Sequence, residues 1–127
     1  MTKQIALVAF GGGVGSVARY LVALGISKHF SHTFPLSTFV INVTGCLIIG
    51  FLMGLSARYT IFNNELRLLL TVGFCGGYTT FSTFSSENAK LFETGDYWIF
   101  ILYVTASLVL GLIAVWIGNF LSKIIAQ

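Results

Sequence analysis

Residues 73–87 read Gly-Phe-Cys-Gly-Gly-Tyr-Thr-Thr-Phe-Ser-Thr-Phe-Ser-Ser-Glu, a run unlike ordinary membrane-helix sequence. Six of the eight residues at 79–86 carry hydroxyls and form a dense ladder of hydrogen-bond donors. The other two, Phe81 and Phe84, are three apart and so share a helix face. A phenyl ring has a negative face and a positive edge, so paired rings can turn their edges to an anion without burying a full charge. The same pair also suits simple packing, and hydroxyls in membrane helices often bond back to their own carbonyls. Adjacent Gly76 and Gly77 predict either an interruption of the helix or a plain kink. If the helix is interrupted within a bilayer, the first half ends in carbonyls that suit a cation, and the second begins with N–H groups that suit an anion.

Two further polar groups could join this run. Asn42 sits in the otherwise apolar Thr-Phe-Val-Ile-Asn-Val-Thr-Gly of residues 38–45. An amide in lipid must find partners, either across a helix interface or on a passing anion. Tyr103 and Ser107 lie four apart on one helix face and offer a second hydroxyl track. Cys46 and Cys75 have no His or acidic neighbours at ligand spacing and are expected to act as small apolar side chains.

The elements that must position these groups are membrane spans. Of the 127 residues, 56% are hydrophobic and 9% charged, against about a quarter charged in a soluble domain. The mean hydropathy is +0.90. Seven basic and four acidic residues are scattered singly, not clustered on a face, which excludes a nucleic-acid binder. Four charge-poor stretches, at residues 4–26, 36–57, 66–92 and 97–122, each reach the ~20 residues needed to cross a ~30 Å hydrocarbon core. The expected fold is therefore one all-α membrane domain over residues 1–127, with four transmembrane helices and the third broken at mid-membrane. The first span starts like a signal peptide, with Lys3, an uncharged run and Ser16-Val17-Ala18, but Gly11-Gly12-Gly13 interrupts its apolar region and the segment is expected to stay.

Thirteen of the fourteen glycines fall in these spans, all but Gly95. The pairs Gly11/Gly15, Gly50/Gly54 and Gly73/Gly77 have the small-xxx-small spacing that lets helix backbones meet, and such close-packing surface on four short helices suggests a homo-oligomer. Lys3, Arg58, Arg67 and Lys123 fall on one side of the membrane and Lys28 and Lys90 on the other. So weak a positive-inside bias lets the chain insert both ways and pair antiparallel.

Gly76-Gly77-Tyr78-Thr79-Thr80-Phe81-Ser82-Thr83-Phe84-Ser85, with Glu87 two beyond, resembles the signature of the Fluc (CrcB) fluoride channels. Asn42 followed by Gly45, the Gly-rich first span ending in Arg19, the length and the span count match the same family, so the resemblance covers essentially the whole chain. It implies an antiparallel, dual-topology homodimer in the bacterial cell membrane, with two pores that pass fluoride out of the cytoplasm passively and limit its toxicity. Phe81 and Phe84 would line the pore and Asn42 would donate to fluoride, while Ser82, Thr83, Tyr103 and Ser107 would form the hydroxyl-lined part of the path. The resemblance further implies a structural Na⁺ at the dimer centre, held by the backbone carbonyls of Gly76 and Thr79 from both subunits. Arg19 would stand at the pore vestibule and Glu87 near the pore end. Gly111 occupies a position where some members carry a serine, which implies a shorter hydroxyl track here. The implied partners are fluoride, Na⁺, a second copy of the chain and the bilayer.

Elementary physics agrees with that expectation. Fluoride is small and strongly hydrated, so a pore must replace its water with close donors. A fixed positive charge deep in the path would hold the ion too tightly, whereas one at a vestibule raises the local anion concentration. Two alternatives fit less well. A small multidrug-type proton-coupled exporter depends on a carboxylate in its first span, and no Asp or Glu precedes Glu65. A non-transporting membrane subunit leaves the phenylalanine and hydroxyl pattern unexplained. No nucleophile–base pair points to an enzyme.

Overall fold

A computed structural model describes residues 1–125, and every regular element among them is helical. Helix α1 (Thr2–His29) and helix α2 (Leu36–Ser56) are joined by a short polar connection, and Pro35 stands at the N-cap of α2, where its missing N–H costs nothing. The third stretch is composite. It starts as α3 (Asn64–Arg67), capped by the Asn63 side chain accepting from the Leu66 N–H at 2.9 Å. It then widens to π-helical winding over Leu68–Cys75, returns to α geometry in α4 (Gly76–Tyr78), and resumes after two extended residues as α5 (Phe81–Glu93). Gly95, with φ +82°, makes the left-handed turn into α6 (Tyr97–Ile125).

Helices α1, α2 and α6 are long and apolar enough to cross a membrane. Helix α1 extends beyond the expected span of residues 4–26 at both ends, and α6 extends beyond the expected 97–122 at its end. No piece of the third stretch qualifies alone, because its longest, α5, has 13 residues and carries Glu87, Lys90 and Glu93. It nevertheless runs the length of the bundle. At one end Lys3 of α1 pairs with Glu65 at 2.6 Å, and at the other Glu87 accepts from Thr38 at the start of α2.

Glycines set the packing. A Cβ on Gly11 would collide with the Leu69 carbonyl, on Gly15 with the Phe74 carbonyl, and on Gly77 with the Gly12 carbonyl. Side chains there would force α1 off the third stretch. Gly50 and Gly118 do the same for α2 and α6, meeting the carbonyls of Val115 and Leu47. Contacts advance in the same direction along both members of each pair, so α1 runs parallel to the third stretch and α2 parallel to α6. These small-xxx-small glycines therefore close helix pairs within one chain. The large apolar side chains that do face outward include Phe10, Phe81, Trp98 and Trp116, at 69%, 79%, 77% and 72% exposure.

Candidate functional site

The backbone leaves helical geometry at Thr79 (φ −81°, ψ 161°) and Thr80 (φ −151°, ψ 114°). Gly76, at φ −64° and ψ −35°, is helical, so of the break expected over residues 76–79 only the last, Thr79, is extended, and the opening continues into Thr80. The physical reason is packing: Gly77 is small because Gly12 lies against it, and a side chain elsewhere holds the extended residues. That side chain is Asn42. Its Oδ1 accepts from the Thr80 N–H at 2.9 Å and its Nδ2 donates to the Thr80 carbonyl at 3.0 Å, the two bonds a neighbouring strand would make. In a continuous helix the Thr80 N–H would go to the Gly76 carbonyl. Thr80 also caps α5, its Oγ1 accepting from the Thr83 N–H at 3.3 Å, which diverts the donor otherwise due to the Thr79 carbonyl. The Gly76 and Thr79 carbonyls are thus both freed of their usual helical partners.

Tyr78 completes the clamp. It is buried, stacks on Phe74 with centroids 5.7 Å apart, and its hydroxyl lies 2.9 Å from Thr44 Oγ1. With the Thr44 hydroxyl hydrogen on the Val40 carbonyl at 2.7 Å, Tyr78 is the donor.

Beside the break lies an open cavity of about 460 Å³. It brings together Asn42, Gly76, Thr79, Phe81, Phe84 and Ser107, with Thr80, and its lining holds no charged side chain. The Phe81 and Phe84 centroids are 5.9 Å apart at a tilt of 34°. The Ser107 hydroxyl is buried and has no partner among the described residues. Phe84 leads outward to the Tyr103 ring at 5.0 Å.

Tyr103 does not line the cavity. Fully buried, it donates its hydroxyl to Glu87 Oε2 at 2.8 Å, while Thr38 Oγ1 donates to Oε1 at 2.8 Å. Each carboxylate oxygen thus receives one hydroxyl, and the Tyr103 proton is engaged away from Ser107. Ser82 and Thr83 are exposed on the first turn of α5, and their hydroxyls lie 3.5 and 3.0 Å from that of Thr80. Arg19 is half-buried on α1, outside this cavity, with no ion pair or hydrogen bond among the described residues.

Similarity to known proteins follows the same residues. The family described as "CrcB-like protein, Camphor Resistance (CrcB)" matches residues 6–119. The chain belongs to the CrcB family. Among its CrcB-family relatives, a protein of Phocaeicola vulgatus named "Fluoride-specific ion channel FluC" is 45% identical over 95% of this chain and 99% of its own length. Proteins of the same name from Flavobacterium psychrophilum (46% identical, 95% of this chain and 98% of the relative) and Desulfotalea psychrophila (48%, 93% and 91%) match as fully. This CrcB-family chain is accordingly a multi-pass membrane protein. The sequence reading gave no positioning role to Thr38, Thr44, Tyr78 or Thr80. Thr80 carries a readable signal, since a Thr three residues before a helical N–H is a cap pattern. The other three act only through partners far away in sequence.

Proposed function

We propose that the chain is a fluoride-selective channel through which the ion leaves the cytoplasm down its gradient, limiting fluoride toxicity. The observation that carries this reading is the convergence of Asn42, Phe81, Phe84 and Ser107 on one uncharged cavity. A carboxamide has two N–H bonds. One fixes Asn42 to the Thr80 carbonyl, so the second is held in a set orientation and remains free for an anion. The unpartnered Ser107 hydroxyl is a second donor, and the tilted Phe81 and Phe84 rings offer electropositive edges between them. Such neutral donors replace the water of a strongly hydrated ion without trapping it. The hydroxyls of Ser82, Thr83 and Tyr103 would serve the ends of the path, with Glu87 at its outer end and Arg19 drawing anions to its vestibule.

In this reading the third stretch crosses the bilayer as a broken helix, and two chains pair antiparallel in the bacterial cell membrane. Support comes from Phe81, whose 79% exposure on a single chain a partner would cover, and from the weak four-to-two bias of basic residues between the two sides. The freed Gly76 and Thr79 carbonyls suit a hard monovalent cation such as Na⁺, and a second copy would double the oxygen set at the dimer axis. Purified protein in liposomes should release fluoride without a proton gradient or nucleotide, with chloride much slower. Chloride efflux as fast as fluoride would overturn the assignment. A cysteine placed at the C-terminus should be labelled from both sides of intact cells, and one-sided labelling would overturn the opposed pairing.

A further inference from the structure

Glu87 separates two environments. On one side, through Tyr103 and Phe84, lies the central cavity. On the other lie two smaller cavities, of about 160 and 380 Å³, beneath the α1–α2 connection. Both are bounded by His32, Pro35 and Glu87. His32 is thus the titratable side chain that stands with Glu87 in both cavities at this end of the bundle. The groups around it are few. From α5 come Glu87 and Lys90, and from the turn into α6 comes Asp96, whose carboxylate accepts from the Thr94 hydroxyl at 2.7 Å. The end of α1 and the segment after it contribute the uncharged Ser27 and Phe30, and α2 contributes Leu36 and Ser37. Lys28 and His29 are exposed and line neither cavity.

We propose that His32 is an anion-entry residue at the Glu87 mouth, and that its protonation raises the rate at which fluoride enters the path. This inference rests on the channel reading above. The sign follows from the charges. With ionised carboxylates, Glu87 and Asp96 outweigh Lys90, and the mouth with neutral His32 carries one net negative charge that repels an anion. An imidazolium adds one positive charge and cancels it. His32 is exposed, lines both cavities from the connecting segment and makes no hydrogen bond or ion pair among the described residues, so the added charge is not neutralised by a dedicated partner. Acid therefore favours entry.

The test is fluoride efflux from liposomes holding the purified protein, at equal pH on both sides, from about pH 8 to about pH 5.5, where an imidazole gains its charge. Efflux from protein-free liposomes is subtracted at each pH, which removes permeation by neutral hydrogen fluoride. The wild-type rate should rise about twofold on acidification, the effect of one charge acting through water. His32→Gln should abolish the rise, and His32→Lys should give the higher rate at every pH. A rise of wild-type size in His32→Gln would overturn this inference and leave the channel reading intact. Absence of fluoride efflux from the wild type at every pH would overturn the channel reading and this inference with it.

Discussion

The α2–α6 pair and the break beside Asn42 solve opposite problems. Along α2 and α6 the helices are continuous and the backbones need room, so the contact is made by removing side chains at Gly50, Gly54 and Gly118. At Thr79 and Thr80 the backbone has lost its helical partners, so the contact is made by adding a side chain. The first region is purely structural. The second uses the Asn42 amide, which lines the cavity, to hold the backbone, and on the proposed reading that residue couples fold and function.

Breaking the structural region should have the larger consequence. Gly118→Leu would drive its side chain into the Leu47 carbonyl and the Phe51 N–H, a clash of backbone that no rotamer relieves. Overpacking of this kind costs about 3 kcal/mol or more. The expected outcome is little folded protein in detergent, read by size-exclusion yield.

Asn42→Asp comes next. The carboxylate can still accept from the Thr80 N–H but can no longer donate to the Thr80 carbonyl, and its charge faces the cavity. Leaving one buried carbonyl unpaired costs about 1–3 kcal/mol. Fluoride efflux should fall to the background of protein-free liposomes while a folded fraction survives. Near-normal efflux would reduce Asn42 to a purely structural clamp.

Phe81→Ile separates the two roles further. The ring is mostly exposed on the single chain, so the fold of the chain should lose less than about 1.5 kcal/mol. The ring edge, however, is lost, and fluoride efflux should drop at least about tenfold. Unaltered efflux would place the anion path away from the Phe81–Phe84 pair.

Tyr78→Phe removes only the hydroxyl bond to Thr44 and keeps the stack on Phe74. Hydrogen bonds between membrane helices average about 0.6 kcal/mol, so a small fall in thermal stability is expected, with efflux nearly intact. The smallest effect belongs to Lys3→Ala, which breaks the exposed pair with Glu65 and should cost no more than about 0.5 kcal/mol.

Much of the molecule was legible in its residues. Hydropathy marked the helices, since segments so poor in charge have no other way to satisfy their backbone in lipid. The hydroxyl and phenylalanine run marked the site, and four of its expected members, Asn42, Phe81, Phe84 and Ser107, meet at one cavity. Glycine was the ambiguous signal. Gly76 and Gly77 favour a helix break by sequence, yet both are helical and the opening falls at Thr79 and Thr80, while Gly77 and Gly11/Gly15 close α1 against the third stretch. A missing Cβ permits a break and a close approach equally, and sequence cannot say which is used.

What the sequence by itself determined is therefore the class of structure and the chemistry available to it. Composition forces helices in a bilayer, and the residue types supply neutral donors and ring edges with no buried cation. Only the tertiary structure decided where the helix opens and which donors are free. The opening depends on Asn42 reaching a backbone 38 positions away, and the Tyr103 hydroxyl is turned away from Ser107 by Glu87, 16 positions earlier. Hydrogen bonds between distant residues are settled by packing, because each N–H or O–H proton needs a recipient and the fold chooses it.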